Sequence, residues 1–286
     1  MSRTALRNGP FASRDGKSAE TSRIAATFKH GIMPLMDTEF SDRNAALGEL
    51  YAGHLDVVRA RHDRALEEAG ANCAVIFSGS ARTAFLDDRA YPFVANPHFL
   101  GWVPRQALPL SYVFYQRGET PVLVYYQPRD YWHVVPGPPE GYWTDQFDIR
   151  IVHDPAEAQA HLPEIADRCI VIGEIDDTAA ALGIERINPT VALNILHYAR
   201  ATKTEYELAC MRLASRRAVL GHRAAEAAFR AGAAEFEIHR AYCAAVGQTD
   251  NELPYDNIIA LNEHLSLIHI SEPTRLRLKS RMPSWA

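Results

Sequence analysis

The sequence predicts an α/β domain followed by the opening of a second, α+β domain. Short apolar runs alternate with amphipathic helical stretches up to about residue 188. Two helix-start signals then follow in close succession, Asn188-Pro189 and Thr204 with Glu207, and long helical patterns take over. The 286 residues are 47% hydrophobic and 23% charged, which suits a packed globular protein, and roughly 100–200 residues per domain makes two domains the expectation.

In chain order, Ser41 is the expected N-cap of a long amphipathic helix. Leu47, Leu50, Tyr51, Leu55, Val58 and Leu66 fall at helical spacing, and Gly70 supplies the C′ position. Residues 73–77 read as a strand bounded by Gly79, and 111–115 and 121–126 as a hairpin around Arg117-Gly118. Residues 147–152 alternate as a further strand, 155–167 are helix-like, and 169–173 form another buried strand. Pro189 opens a helix that runs through Tyr198, because the fixed φ of proline suits a first turn. Thr204 and Glu207 form a capping box ahead of a helix to about Arg230, with Leu208, Met211, Ala218 and Phe229 on its apolar stripe and Gly232 behind it. Residues 235–246 make one more helix, ending at Gly247, and 257–261 read as a strand.

Composition excludes several classes. A net charge of -5 gives no electrostatic reason to bind nucleic acid, which needs clustered Lys and Arg. The longest apolar runs, such as Ile258-Ile259-Ala260-Leu261, fall short of the roughly 20 residues of a membrane span. Cys73, Cys169, Cys210 and Cys243 lack paired C-x-x-C spacing and read as buried small hydrophobes, which fits a reducing, cytoplasmic setting. Ser78-Gly79-Ser80 lacks the G-x-S-x-G frame, and neither G-x-G-x-x-G nor a P-loop occurs. Residues 1–32 are basic, with Arg3, Arg7, Arg14, Lys17, Arg23 and Lys29 against Asp15 and Glu20. They are expected to be a disordered leader, with the native start at Met33 or Met36.

Arg200, Lys203-Thr204, Glu207-Leu208, Met211-Arg212 and Ala214 resemble the entry to the pita-bread fold of prolidases, aminopeptidase P and creatinase. Phe85-Leu86-Asp87-Asp88-Arg89, Tyr91-Pro92-Phe93, Asn96-Pro97, Trp102-Val103-Pro104 and Asp130-Tyr131-Trp132-His133 resemble the front domain of bacterial PepQ-type Xaa-Pro dipeptidases. So do Gly221-His222-Arg223, Leu253-Pro254-Tyr255-Asp256-Asn257 and Asn262-Glu263-His264. The resemblance covers about residues 40–264. It implies an α/β front domain of creatinase/prolidase N-terminal type over 33–200, then an incomplete α+β pita-bread domain over 201–264. It further implies a homodimeric, metal-dependent peptidase that cleaves the bond before a C-terminal proline in dipeptides. Two Mn²⁺ ions, held by two Asp, two Glu and one His, would deprotonate a bridging water and polarise the scissile carbonyl. A tertiary amide has no N–H, so a dedicated pocket for the pyrrolidine ring is expected, closed to longer peptides by the front domain of the other subunit.

After His264 the resemblance stops. Residues 265–275 resemble the in-frame translation of a transposon-end sequencing adapter, and 280–284 another adapter stretch, so 265–286 are expected to be non-native. His269 falls where the family places a substrate-contacting His, and is taken as coincidence. No Asp follows Asp256, and Glu272 is the only side-chain carboxylate after His264, so the family's metal ligands are expected to be absent and no metal to bind.

The candidates that remain are substrate-pocket residues implied by the resemblance. One of Asp87 and Asp88 would reach the partner subunit's pocket and meet the substrate's amine, and Tyr255 and His264 would lie beside the pocket. As adjacent residues, Asp87 and Asp88 do not converge as a catalytic pair. His222 and His239 read as packed or surface histidines without a metal-ligand partner one helical turn on. The expected chain is thus an Xaa-Pro dipeptidase by lineage and inactive as it stands, poorly soluble because the stripe at Leu208, Met211 and Phe229 lacks a covering surface. Alternatives are a non-catalytic dimerisation or peptide-binding module, and a relative with aminopeptidase P or creatinase-like specificity.

Overall fold

A computed structural model describes residues 33–131, 135–161, 168–174 and 182–262. The expected leader at 1–32, His133, the second half of the helix expected over 155–167, His264 and the tail lie outside them. Among the described residues five strands form one mixed sheet, in the order β4-β3-β2-β1-β5: β1 Cys73–Phe77, β2 Tyr112–Gln116, β3 Val122–Tyr126, β4 Asp148–Val152 and β5 Cys169–Ile172. The β2-β3 hairpin is antiparallel and turns at Gly118. β1 pairs antiparallel with β2 and parallel with β5, and β3 pairs parallel with β4.

Period-2 alternation sends neighbouring residues of these strands to opposite faces, and both faces are covered. Ala74, Ile76, Val113, Tyr115, Leu123, Tyr125 and Ile170 face a core shared with the helices, whereas Val75, Phe77, Tyr112, Val124 and Val171 form a second core on the far side. In β1, β3 and β5 two buried faces leave no position for a polar residue, which is why they read as unbroken apolar runs, whereas the edge strand β4 exposes Asp148 and keeps its alternation.

On the first face lies α1 (Met33–Glu68), which buries Tyr51, Leu55, Val58, Ala65 and Leu66. It begins eight residues before the expected cap: Ser41 is a helical residue, and Pro34 sits at the second helical position, where proline is tolerated. Beside it pack α2 (Pro97–Trp102), capped by the Asn96 side chain, and α4 (Thr190–Ala199), while α3 (Ala158–His161) is a single turn. Gly173 at the end of β5 has φ 147°, and a Cβ there would meet the Phe77 carbonyl oxygen at 2.8 Å.

The helices α5 (Glu205–Arg230) and α6 (Glu235–Val246) pack against each other, and α5 leans on α1. The α5–α6 crossing is close because Gly221 gives Tyr242 and Val246 room: a Cβ there would meet them at 2.6 and 2.7 Å. Residues 257–261 do not form the expected strand. The Leu261 N–H is accepted by Glu235 Oε1 at 2.7 Å, and Ile258 is 91% exposed. A strand needs a neighbouring strand for its ladder, and none lies alongside among the described residues.

Candidate functional site

The junction between α1 and α5 is the most tightly specified polar region. His54, on the buried face of α1, donates from Nε2 to the Gly101 carbonyl at 2.9 Å, and its Nδ1 lies 2.8 Å from Thr204 Oγ1. That tautomer makes Thr204 the donor to His54, while Thr204 Oγ1 accepts the Glu207 N–H at 3.2 Å. Glu207 Oε2 accepts the Thr204 N–H at 2.7 Å, which completes the expected capping box. Burial pushes the His54 pKa down, partly countered by the Gly101 hydrogen bond. Tyr51, Tyr142 and Tyr206 form an edge-to-face group behind it, with the hydroxyls of Tyr142 and Tyr206 2.8 Å apart. Two turns further along the buried side of α1, His62 donates its Nδ1–H to Val58 O at 2.8 Å and accepts from Trp102 Nε1 at 3.2 Å. Burial drives its pKa down to about 4. A cavity of about 210 Å³ beside this junction is lined by His54, His98, Arg200 and Glu207. Neither His54 nor His62 is singled out by the sequence, although both share the helical spacing of the apolar residues around them.

Asp87 and Asp88 occupy the tip of a small hairpin closed by the Thr83–Ala90 bridge and by Ala84 N–H to Arg89 O at 2.8 Å. Asp87 Oδ1 accepts the N–H of Asp88 at 2.7 Å and of Arg89 at 3.2 Å, an Asx turn. The Arg89 bond first, then a side-chain hydrogen bond with Asp88 and the Asp88 backbone bond, hold its carboxyl below the usual range. Leu86 takes φ 57°, and Phe85 and Leu86 are 90% and 91% exposed, so the tip projects two large apolar side chains beside the acids. Tyr255 is exposed on the segment after α6 and makes no hydrogen bond among the described residues. Among the described residues no hydrogen bond or ion pair joins Tyr255 to either aspartate, and His264 lies outside the described residues.

His239 is a packed histidine, but it does have a side chain of metal-ligand type one helical turn on. Cys243 is one helical turn on, with Sγ 3.8 Å from His239 Nε2, and Asp250 Oδ1 lies 2.6 Å from the same nitrogen. The signal was in the sequence as an i, i+4 His/Cys pair. Cys243 is half-buried rather than a core hydrophobe, and burial, then the Asp250 charge, push its thiol pKa up. Cys73 and Cys169 are buried as expected, facing each other across β1 and β5. His222 is an exposed histidine against the edge of Tyr242.

This arrangement does not fit a pair of Mn²⁺ ions. Such a pair needs several bridging carboxylates, whereas the one group of metal-capable side chains among the described residues is a single imidazole, thiol and carboxylate. Also among the described residues, no helix is long and apolar enough to cross a membrane.

Fold and side chains define a mixed five-stranded α/β domain with a projecting acidic-apolar hairpin, locked to a capped helix pair. A family model described as the N-terminal domain of Xaa-Pro dipeptidase matches residues 49–198, and the chain belongs to that family. The Xaa-Pro dipeptidase of Xanthomonas euvesicatoria pv. vesicatoria is 51% identical over 227 residues, covering 79% of this chain and 51% of that protein. That of Pseudoalteromonas atlantica is 45% identical over 226 residues with the same coverage. The chain therefore spans about half the length of the curated relatives it matches. The low-pH form of Escherichia coli aminopeptidase P aligns with a TM-score of 0.46 and 17% identity over 67% of this chain and 49% of that one.

Proposed function

We propose that residues 33–264 are the front half of a metal-dependent Xaa-Pro dipeptidase, and that the 286-residue chain by itself does not hydrolyse dipeptides. The observation that carries the lineage is the 51% identity over 227 residues to a protein of that name. The inactivity is supported by the donor set, since the described residues offer no cluster of carboxylates for two hard cations. On this proposal residues 33–200 are the front domain, 201–264 open the pita-bread domain, and 265–286 are non-native. The intact enzyme is a cytoplasmic homodimer with two Mn²⁺ per subunit.

The hairpin tip gives the front domain its part in specificity. Asp87 is held by its own turn, and Asp88, whose carboxyl lies against it, is assigned to the substrate's ammonium group in the partner's pocket, flanked by Phe85 and Leu86. Tyr255 and His264 belong to the pocket wall. Fusing residues 33–262 to the second half of the Xanthomonas relative tests this. Mn²⁺-dependent cleavage of Leu-Pro in preference to longer Xaa-Pro peptides is expected, with weakened substrate binding on Asp88→Ala. Preference for longer peptides would instead favour an aminopeptidase P-like relative. Peptide binding without any metal-dependent cleavage would favour a non-catalytic module.

A further inference from the structure

The geometry points to a mononuclear site for a Zn²⁺-class divalent cation at His239, Cys243 and Asp250. His239 and Cys243 project from the same face of α6 one turn apart, so the helix itself fixes their spacing. Gly247, in the left-handed region at φ 60°, reverses the chain, and the Arg217 guanidinium pins that corner by donating to the carbonyls of Val246 at 2.6 Å and Gly247 at 3.1 Å. The next turn is held by Glu252, whose carboxylate accepts from Thr249 N and Oγ1, both at 2.8 Å. Asp250 is thereby delivered to the α6 face by a built turn.

The three donor atoms lie within 4.8 Å of one another. Around a tetrahedral ion with bonds of roughly 2.0–2.3 Å, neighbouring ligand atoms stand about 3.3–3.8 Å apart. The 3.8 Å between Nε2 and Sγ meets that limit. Asp250 Oδ1, at 2.6 Å from Nε2, must withdraw by about 1 Å, and its side chain is 70% exposed and able to do so. Asn257 supplies the outer support, with its amide 3.2 Å from His239 Nδ1 and 3.9 Å from Cys243 Sγ. An end-for-end turn of that amide lets Oδ1 accept from Nδ1–H and leaves the Nε2 lone pair for the ion, so that Asn257 then supports the imidazole and not the sulfur.

Thiolate and imidazole select zinc-like ions over Mg²⁺, Ca²⁺ or Mn²⁺, and three protein ligands leave a fourth position open. Binding forms N–M, S–M and O–M bonds and breaks the Cys243 S–H bond. The proton passes to solvent, and thiolate plus carboxylate neutralise the dication.

Co²⁺, used as a spectroscopic substitute, tests the site on the 286-residue chain under reducing conditions. One equivalent is expected to give a thiolate-to-cobalt charge-transfer band that Zn²⁺ abolishes. Cys243→Ser should remove the band and Cys210→Ser should keep it. Asp250→Asn, on an exposed side chain, and Asn257→Ala should each weaken binding about 10- to 100-fold, with helix content by circular dichroism unchanged. No band, a band that survives Cys243→Ser, or unchanged affinity in Asp250→Asn would overturn the assignment.

Discussion

The side-chain oxygen of Thr204 stands 2.8 Å from Nδ1 of His54, and that contact ties the helix covering the sheet to the first turn of α5. One hydroxyl serves two purposes here, donating to a buried imidazole and accepting the backbone N–H of Glu207.

Removing that hydroxyl orphans both partners. Thr204→Val is expected to lower stability by about 1–3 kcal/mol, the range of a lost cap plus an unsatisfied buried acceptor, whereas Thr204→Ser should cost little. Urea unfolding followed by circular dichroism measures it. A Thr204→Val midpoint equal to the parent's would remove His54 and Thr204 from the junction.

Acid should loosen the first core before it affects the rest. His62 ionises near 4 in the folded chain against 6.5 for the ordinary group, so between those values the unfolded chain takes up a proton that the folded one refuses. Stability is therefore full above pH 6.5 and falls as the pH drops towards 4, by about 1–3 kcal/mol from this group. His98, also held down to about 4 by burial and then by Arg200, adds in the same direction, reduced by its partial exposure. Urea midpoints at pH 7.5 and 4.5 should differ, and His62→Gln should narrow the difference. Equal midpoints in the parent would contradict the burial argument.

The α5–α6 crossing depends on a missing side chain. Gly221→Ala places a Cβ under 3 Å from Tyr242 and Val246, and overpacking of that kind costs about 1–3 kcal/mol. An unfolding midpoint raised by the alanine's helix propensity alone would show that the two helices are not this close.

Much of this was legible in the sequence, for reasons visible in particular residues. The strands announced themselves because both faces of 73–77 and 122–126 are buried, and Thr204 with Glu207 is a local device that needs no tertiary partner. Ser41 failed as a cap because a good N-cap residue is also tolerated inside a helix, and 257–261 failed because strand pattern does not provide a neighbouring strand. The hairpin tip was visible as a motif, but the Asx turn at Asp87 depends on backbone placement. His239 and Cys243 carried a readable spacing. Asp250 did not, since only the reversal at Gly247 brings it back to α6.

That turn at the tip gives a further expectation. Asp87→Ala removes two side-chain bonds to the backbone and should make cleavage by chymotrypsin after Phe85 several-fold faster, while Asp87→Asn, which keeps an acceptor, and Asp88→Ala should leave the rate near the parent's. Equal rates for all three variants would mean that the Asx turn does not order the tip.

On the proposed function, this chain carries the lineage of an Xaa-Pro dipeptidase without its chemistry. Incubating the 286-residue protein with excess Mn²⁺ and Leu-Pro, and following proline release, tests it most directly. The expected result is release no faster than in a protein-free control. Sustained, Mn²⁺-dependent turnover that co-purifies with the chain would contradict it.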